Sequence, residues 1–467
     1  MQLDQEFRRE LSSIVGNEYV IDDVERLGPY THDNSPFPSV PPCAVVKPSS
    51  AEEISRILQA ANARKNKVLV RGGGFSLTGL LPSEPERTVI LDTTRLNRIH
   101  EIDEQDMVAR VECGIILSDL EKELAKRGLY VHTVTVPINY VTLGGVLSGV
   151  VGGGLPPRRP VYGTGINFVL GLKVVLPTGP VLSTGAGGAN VDQKIDYIKG
   201  GNGPDILGVF VGDGGIFGVK VEATLQMFPE PTLKRGECRV FGKFSDAWNV
   251  LSKLMSLDTL PFSQLRIVDR GKDYLLEYVI EVSTPHMLQF SLDTMARICK
   301  EGGAMDPSVQ EREEAKKLAD ISELRSEKFV RLPRYFVSFM TGRKDFPLIY
   351  KELKDFILHE ISSKHLEKVG VAVQMAFQPS MRNSMFCTFN IQYDPNVQES
   401  CSSVLALGNA SYERVIELGG CPQPHQGFGA ELLSRYWSKE YREMIFGMKK
   451  LLDPNMVLNS NVWGIKP

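Results

Sequence analysis

Lys67-Val68-Leu69-Val70-Arg71-Gly72-Gly73-Gly74-Phe75-Ser76-Leu77-Thr78-Gly79 is the stretch on which the reading of this chain turns. Its first residues are β-branched and apolar and run to an abrupt stop, the pattern of a short buried strand. Gly72, Gly73 and Gly74 then accept φ > 0 and put no side chain in the way of an approaching group. Successive N–H groups of such a turn can point inward and hold an anion. Ser76 and Thr78 add hydroxyl donors, and Gly79 allows a second close approach. The stretch therefore reads as a pyrophosphate cradle at the end of a strand. It is neither GxGxxG opening a helix nor GxxxxGK[ST], so Rossmann-type nicotinamide binding and P-loop nucleotide binding are unsupported.

Working outward, Ser50 followed by Glu53 is a capping box that opens a helix running to about Asn66. A strand at 43–46, that helix and the strand at 67–70 make a β–α–β unit. Two further glycine clusters follow, at 142–154 and 212–218, among strands at 88–92, 107–112, 169–176, 181–184 and 219–227. Pro229 and Pro231 read as a linker. From residue 238 glycine thins, and strand-like and helix-like segments alternate as in an antiparallel sheet with helices on one face. Residues 306–331 are highly charged and read as a solvated helix or a partner-facing arm. No internal repeat is visible.

A chain of 467 residues is longer than one core usually supports, so two domains are expected. A net charge of −3 gives no electrostatic case for nucleic acid or an anionic membrane. None of the seven cysteines forms a CxxC pair, which argues against a zinc ribbon or an iron–sulfur cluster held by this chain. Their odd, scattered count suits reduced thiols and a cytoplasmic location. The N-terminus is charged, without a signal-peptide core, and the weakly polar run 140–155 holds six glycines and is no membrane helix.

The three glycine-rich loops, in this order and spacing, resemble the flavoprotein family named after vanillyl-alcohol oxidase and p-cresol methylhydroxylase, which includes FAD-linked D-lactate and glycolate dehydrogenases. RGGGFSLTG at 71–79 looks like its first FAD loop, PINYVTLGGVLSG at 137–149 its second and GPDILGVFVGDGGIFGVKVEATL at 203–225 its third. LLDPNMVLN at 451–459 looks like its C-terminal signature. The resemblance implies an α+β fold: a two-subdomain FAD-binding domain at 1–230, an antiparallel-sheet cap (substrate) domain at 231–430, and a segment at 431–467 returning to the FAD side. It assigns FAD contacts to Arg71, Gly72, Gly73, Gly74, Phe75, Ser76, Thr78 and Gly79. It adds Pro137, Thr142, Leu143, Gly144, Gly145 and Gly149, then Gly215, Gly218, Val219 and Asn459. Some members tether the flavin through a histidine in the first loop, where this chain has Phe75, or a cysteine in the second, where residues 133–149 have none. Non-covalent FAD is expected.

The flavin carries the redox step, and the protein aims the substrate and moves a proton. His425, in a Gly/Pro-rich loop before the last helices, is the candidate base. Arg331 and Arg334 are candidates to clamp a carboxylate, with Arg382 a rival, and Tyr393, Tyr335 and Gln374 lie on cap strands that can face the flavin. The metal-binding HxGDGNxH-like string of many D-2-hydroxy-acid members is missing, so no metal is expected. The leading expectation is an enzyme acting on CH–OH groups, an FAD-dependent dehydrogenase of D-lactate or glycolate type, passing electrons to a partner such as an iron–sulfur subunit. The alternatives are oxidation of a phenol or other alcohol, or a flavin electron-relay subunit docked through 306–331.

Overall fold

The computed structural model describes residues 3–76, 79–132, 138–149, 165–188, 195–199, 203–257, 262–320, 333–423, 428–460 and 462–465. Three sheets organise them. The first holds β1 (Val20–Ile21), β2 (Ala44–Val46), β3 (Lys67–Arg71) and β4 (Thr88–Asp92) in the order β1-β2-β4-β3. β4 runs parallel to both β2 and β3 and lies between them, so the β–α–β unit read from sequence is a crossover around a third strand. Helices α1 (Gln5–Val15) and α3 (Ala51–Arg64) lie in this part, with the single turn α2 (Val24–Leu27) between them. Ile54, Ile57, Leu58 and Ala61 recur at helical spacing on α3 and are buried with Val46, Val89 and Leu91. At its start Ser50 Oγ accepts the Glu53 N–H (3.1 Å), while the Glu53 carboxylate takes the N–H of Ser49 (2.7 Å) rather than that of Ser50. β3 is left at an edge of this sheet.

The second sheet contains β5 (Ile99–Asp103), β6 (Val108–Glu112), β7 (Leu129–Val131), β8 (Val169–Val175), β9 (Val181–Ser183) and β10 (Val219–Pro229). Its order is β5-β6-β10-β8-β9, with β7 on the far end of β10. Alternation along β6 and β10 turns Ala109, Val111, Ala223 and Leu225 to one face. There they meet α4 (Leu117–Ala125), α5 (Leu143–Ser148) and α6 (Leu207–Phe210) in one apolar cluster. Residues 230–232 carry the chain from β10 into the third sheet.

That sheet is antiparallel throughout, in the order β11-β13-β12-β15-β16-β14-β17. Its strands are β11 (Leu233–Phe241), β12 (Phe262–Asp269), β13 (Tyr274–Val282), β14 (Arg334–Gly342), β15 (Ala372–Met381), β16 (Ser384–Gln392) and β17 (Cys421–Pro422). α7 (Phe244–Met255), α8 (Pro285–Glu301), α10 (Phe346–Ser363) and α11 (Gln398–Glu417) share one buried cluster with Leu265, Ile267, Tyr335, Val337, Phe339, Phe377 and Phe389, and so cover a single face. The chain order β11-α7-β12-β13-α8 recurs as β14-α10-β15-β16-α11, and the halves join where β12 pairs with β15. This internal repeat corrects the expectation of none. It is a repeat of topology, and alternating apolar strands of different composition satisfy it without matching residues.

α9 (Val309–Lys317) is the described part of the charged arm. Its Ser308–Glu311 capping box is complete, and it lies along the edge strand β11, where Cys238 Sγ donates to Glu311 O (3.5 Å). It thus covers a sheet edge rather than standing free. α12 (Phe428–Ser434) and α13 (Lys439–Leu452) lead into the C-terminal segment. Among the described residues no helix is long and apolar enough to cross a membrane.

Phe389 is fully buried on β16, near the middle of the third sheet. Phe389→Ala should cost about 3–5 kcal/mol of stability, read as a lowered denaturation midpoint.

Candidate functional site

β3 delivers the first glycine-rich loop from a sheet edge. Among the described residues, no acceptor meets the N–H of Gly72, Gly73, Gly74 or Phe75. Four consecutive free N–H groups at a strand end form a nest for an anion. The loop is held from outside by the segment before β2. Asp33, 9% exposed, accepts the N–H groups of Gly79 (3.1 Å) and Leu80 (3.0 Å). Arg71 donates to the carbonyls of His32 (3.1 Å) and Pro29 (3.0 Å), with its guanidinium over the Tyr30 ring. The Gly79 end of the loop therefore already has its anion in Asp33, which leaves 72–75 for a ligand. Thr78 lies outside the described residues, as does Pro137 in the second loop.

The second loop packs directly on the first. A Cβ on Gly73 would stand 1.7 Å from Tyr140 O, and one on Gly72 would stand 2.0 Å from Thr142 Oγ1. Close approach of protein backbone thus requires these glycines. Thr142 caps α5 by accepting the Gly145 N–H (3.3 Å), and the N–H groups of Leu143 and Gly144 donate to Ile115 O and Cys113 O. At the other end of α5, Leu147 O and Ser148 O accept the N–H groups of Gly212 and Gly214, both at 2.8 Å. Gly149 donates its N–H to Gly145 O.

The third loop closes around Asp213. Its carboxylate accepts from Gly215 N (2.9 Å), Phe217 N (3.3 Å) and Lys220 Nζ (2.7 Å), a fully buried cluster. The Gly215 N–H is therefore engaged inside the chain, and Val219 pairs with Val175 in the sheet beside Gly218. Three carbonyls of this loop point at the C-terminal segment. Asp213 O accepts Trp463 Nε1–H (3.0 Å), Gly214 O accepts Asn459 Nδ2–H (2.8 Å), and Ile216 O accepts Lys449 Nζ–H (2.8 Å). Lys449 also donates to Asp453 (2.6 Å) and Leu458 O (2.8 Å), and burial draws its pKa below the ordinary lysine value against the pull of Asp453. The segment then lies along β3: Leu458 bridges Val68 in parallel, Asn459 N–H donates to Val68 O (2.9 Å), and Asn459 Oδ1 accepts the Val70 N–H (2.9 Å). Residue types alone did not reveal Asp33, Asp213, Lys220 and Lys449. The nearest sequence signals were the HDNS turn at 32–35 and an Asp-Gly-Gly followed by a lysine at 213–220.

On the third sheet, Arg334, Phe336, Ser338 and Met340 alternate onto the face away from the helices. Opposite them stand Gln392, Asn390, Thr388 and Phe386 of β16. Ser338, Thr388 and Asn390 are buried there and linked, Ser338 Oγ donating to Thr388 Oγ1 and Thr388 Oγ1 to Asn390 Oδ1, each at 3.3 Å. Gln423 joins the row by donating its N–H to Ser338 O (2.7 Å). Arg334 is half-buried, its Nε meets no acceptor among the described residues, and desolvation lowers its pKa. Elsewhere on the sheet Arg266 is paired with Glu277 at 2.6 Å. Tyr335 packs under α11, where a Cβ on Gly408 would stand 2.2 Å from its ring, so it faces the helices. Tyr393 shares the parity of Phe389 and Ile391 in the apolar core, where burial foremost, then Cys401 and Asp33, push its phenol pKa up. The structure does not bring Tyr393 onto the face of Arg334. Gln374 is on that face but exposed, and Arg382 donates to Leu257 O (2.7 Å). Arg331 and His425 lie outside the described residues.

Comparison with known proteins agrees with this geometry. Residues 42–185 match the family model described as FAD binding domain. The chain is 24% identical to glycolate oxidase subunit GlcD of Bacillus subtilis (strain 168), over 97% of this chain and 96% of that protein. It is 30% identical to the D-lactate dehydrogenase of Archaeoglobus fulgidus, over 59% of this chain and 62% of that protein. In solved structures it is similar to p-cresol methylhydroxylase with substrate bound, at a TM-score of 0.81 and 17% identity, covering 99% of this chain and 96% of that one. The residues present fit FAD, since the acceptor-free N–H run at 72–75 can meet a pyrophosphate without cationic side chains.

Gly73→Ala would drive a methyl group into the Tyr140 carbonyl. The purified variant should fold yet carry less than about a tenth of the wild-type flavin, an effect of more than ~1.4 kcal/mol, read from the ratio of visible to 280-nm absorbance.

Proposed function

For an FAD-dependent oxidoreductase on the p-cresol methylhydroxylase fold, we propose oxidation of a small 2-hydroxy acid of the D-lactate or glycolate type, with the electrons leaving to a partner protein. The observation that carries this reading is Arg334, a half-buried guanidinium that meets no carboxylate among the described residues, on the face that carries Ser338, Thr388 and Asn390. A desolvated cation gains most from an anion that arrives with the substrate, and a planar fork matches a carboxylate. The relatives named for glycolate and D-lactate support the same class. We take 1–230 as the FAD-binding domain, 231–430 as the cap and 431–467 as the returning segment, so the polar face of the cap turns toward the cofactor.

FAD, when bound, would supply the acceptor for the two electrons of the oxidation. Arg334 holds the carboxylate and so orients the substrate, with Arg331 as its partner in the clamp. His425 takes the hydroxyl proton of the substrate. What supports His425 is Gln423, two residues earlier in the chain and tied to Ser338 O on the polar face. Asn390, Thr388 and Ser338 offer hydrogen bonds to the substrate oxygens. Tyr393 acts in packing. The flavin is held non-covalently, because Phe75 stands where a tethering histidine is needed and stacks near Tyr140. The seven free thiols, six of them buried, suit a reducing cytoplasm. The electron acceptor is an iron–sulfur protein or another redox subunit.

Oxidation of a phenol is the second reading, favoured by Phe336 and Met340 on the same face. Anaerobic titration of the bound flavin separates the two. D-lactate or glycolate should bleach it, and bleaching by 4-alkylphenols alone would overturn the hydroxy-acid reading. Bleaching by neither class would favour an electron-relay subunit.

Arg334→Met should raise the hydroxy-acid KM by about 10²-fold, the loss of a charge-assisted bidentate pair of roughly 2–3 kcal/mol, while a neutral alcohol substrate is little affected. His425→Ala should retain FAD yet slow flavin reduction by about 10²-fold or more, measured by stopped-flow absorbance. Acid precipitation should release all of the flavin into the supernatant.

A further inference from the structure

The C-terminal segment touches the cofactor loops through several side chains, and one of them differs in what it joins. Lys449 and Trp463 bind carbonyls of the third loop, and Lys67 Nζ reaches back from β3 to Met456 O (2.9 Å). Asn459 does both tasks with a single amide. Its Nδ2 donates to Gly214 O (2.8 Å) and its Oδ1 accepts the N–H of Val70 (2.9 Å), two residues before the free N–H run begins. It is 3% exposed.

We propose that Asn459 is a positioning residue for the cofactor: its amide locks the first and third loops at one separation, and FAD affinity depends on that lock. This inference rests on the FAD reading above.

Four contacts in sequence form a closed circuit. The first loop packs on the second at Tyr140 and Thr142, and the second accepts N–H groups of the third at Leu147 O and Ser148 O. The third binds Asn459 through Gly214 O, and Asn459 binds β3 through Val70 N–H. The backbone that presents the amide is itself fixed. Asp453 accepts the N–H groups of Val457 (2.9 Å) and Leu458 (2.8 Å), and Asn459 donates its own N–H to Val68 O. Asn459 has φ +44°, in the left-handed region where asparagine is among the better tolerated non-glycine residues. Without the amide, Val70 N–H and Gly214 O lose their partners, and the first and third loops lose the side chain that joins them here, while β3 keeps its pairing with β4. A nest works only while its N–H groups converge on one point, so a displacement of about 1 Å is enough to weaken it.

The test uses full-length protein stripped of flavin. Asn459→Asp keeps the left-handed tolerance and an acceptor for Val70 N–H but sets a carboxylate against Gly214 O. Asn459→Gly suits the same φ and removes the amide, and it carries the test if the aspartate variant does not fold. FAD binding is read by quenching of flavin fluorescence, the geometry of the bound ring by visible circular dichroism, and the fold by melting of the apoprotein. The expected result is an FAD Kd raised by about tenfold or more in both variants, with an altered dichroism spectrum at saturation. A Kd within about twofold of wild type and an unchanged spectrum would overturn the proposal, even if the apoprotein melts lower, because Asn459 would then serve stability alone. Wild-type apoprotein that takes up no FAD would overturn the cofactor reading itself, and this inference with it.

Discussion

Three carbonyls within four residues of one loop, those of Asp213, Gly214 and Ile216, are held by side chains from the far end of the chain. The rest of the FAD-binding region depends on this constraint. The third loop cannot stand alone, because the N–H groups of Gly215 and Phe217 turn inward onto the Asp213 carboxylate while three of its carbonyls turn outward. In a buried setting those carbonyls need partners, and Trp463, Asn459 and Lys449 supply them. The Asp213–Lys220 pair inside the loop has both side chains 1% exposed, so removing either partner would leave an uncompensated charge. The loop is therefore defined by polar satisfaction on both sides, and the C-terminal segment is part of the cofactor region although it follows the cap in sequence.

This arrangement divides labour among loops that look alike in composition. In the first, the N–H groups of Gly72 to Phe75 meet no acceptor among the described residues. The glycines of the second and third make room for neighbouring backbone and side chains, and most of their N–H groups close the architecture. An anion bound at 72–75 would face donors that are already oriented, since Asp33 and Arg71 fix the loop from the outside. Preorganised donors of this kind lose little freedom on binding, which is the advantage of a backbone nest over flexible lysines.

The cap follows a different logic. Its two β-α-β-β-α halves bury aromatic and aliphatic residues on one face under four helices, and that face carries the stability. The opposite face of the β14–β16 half carries a buried hydroxyl–hydroxyl–amide row and a half-buried guanidinium that meets no carboxylate among the described residues. A protein interior tolerates such a group at a cost, and the cost makes sense where a ligand supplies the missing charge. In the other half Arg266 and Glu277 neutralise each other, so the asymmetry between the halves marks where chemistry is expected.

The strand-then-glycine stretch at 67–79 was enough to mark an anion cradle, and the alternation after residue 238 a sheet with helices on one face, because local periodicity and turn chemistry are properties of neighbouring residues; FAD and the cap came from the family that the glycine-rich loops resemble. Arg334 was legible as a clamp candidate from its place before a strand, but that it meets no carboxylate among the described residues was not. Strand parity separated Arg334 from Tyr393 and turned Tyr335 into a packing residue. Asn459, listed by likeness among cofactor contacts, became a tie between two loops. The topological repeat in the cap and the edge-covering role of α9 were equally invisible. Each of these depends on pairings between residues far apart in the chain, such as Asn459 with Val70, and no local pattern records which distant backbone group a side chain will meet.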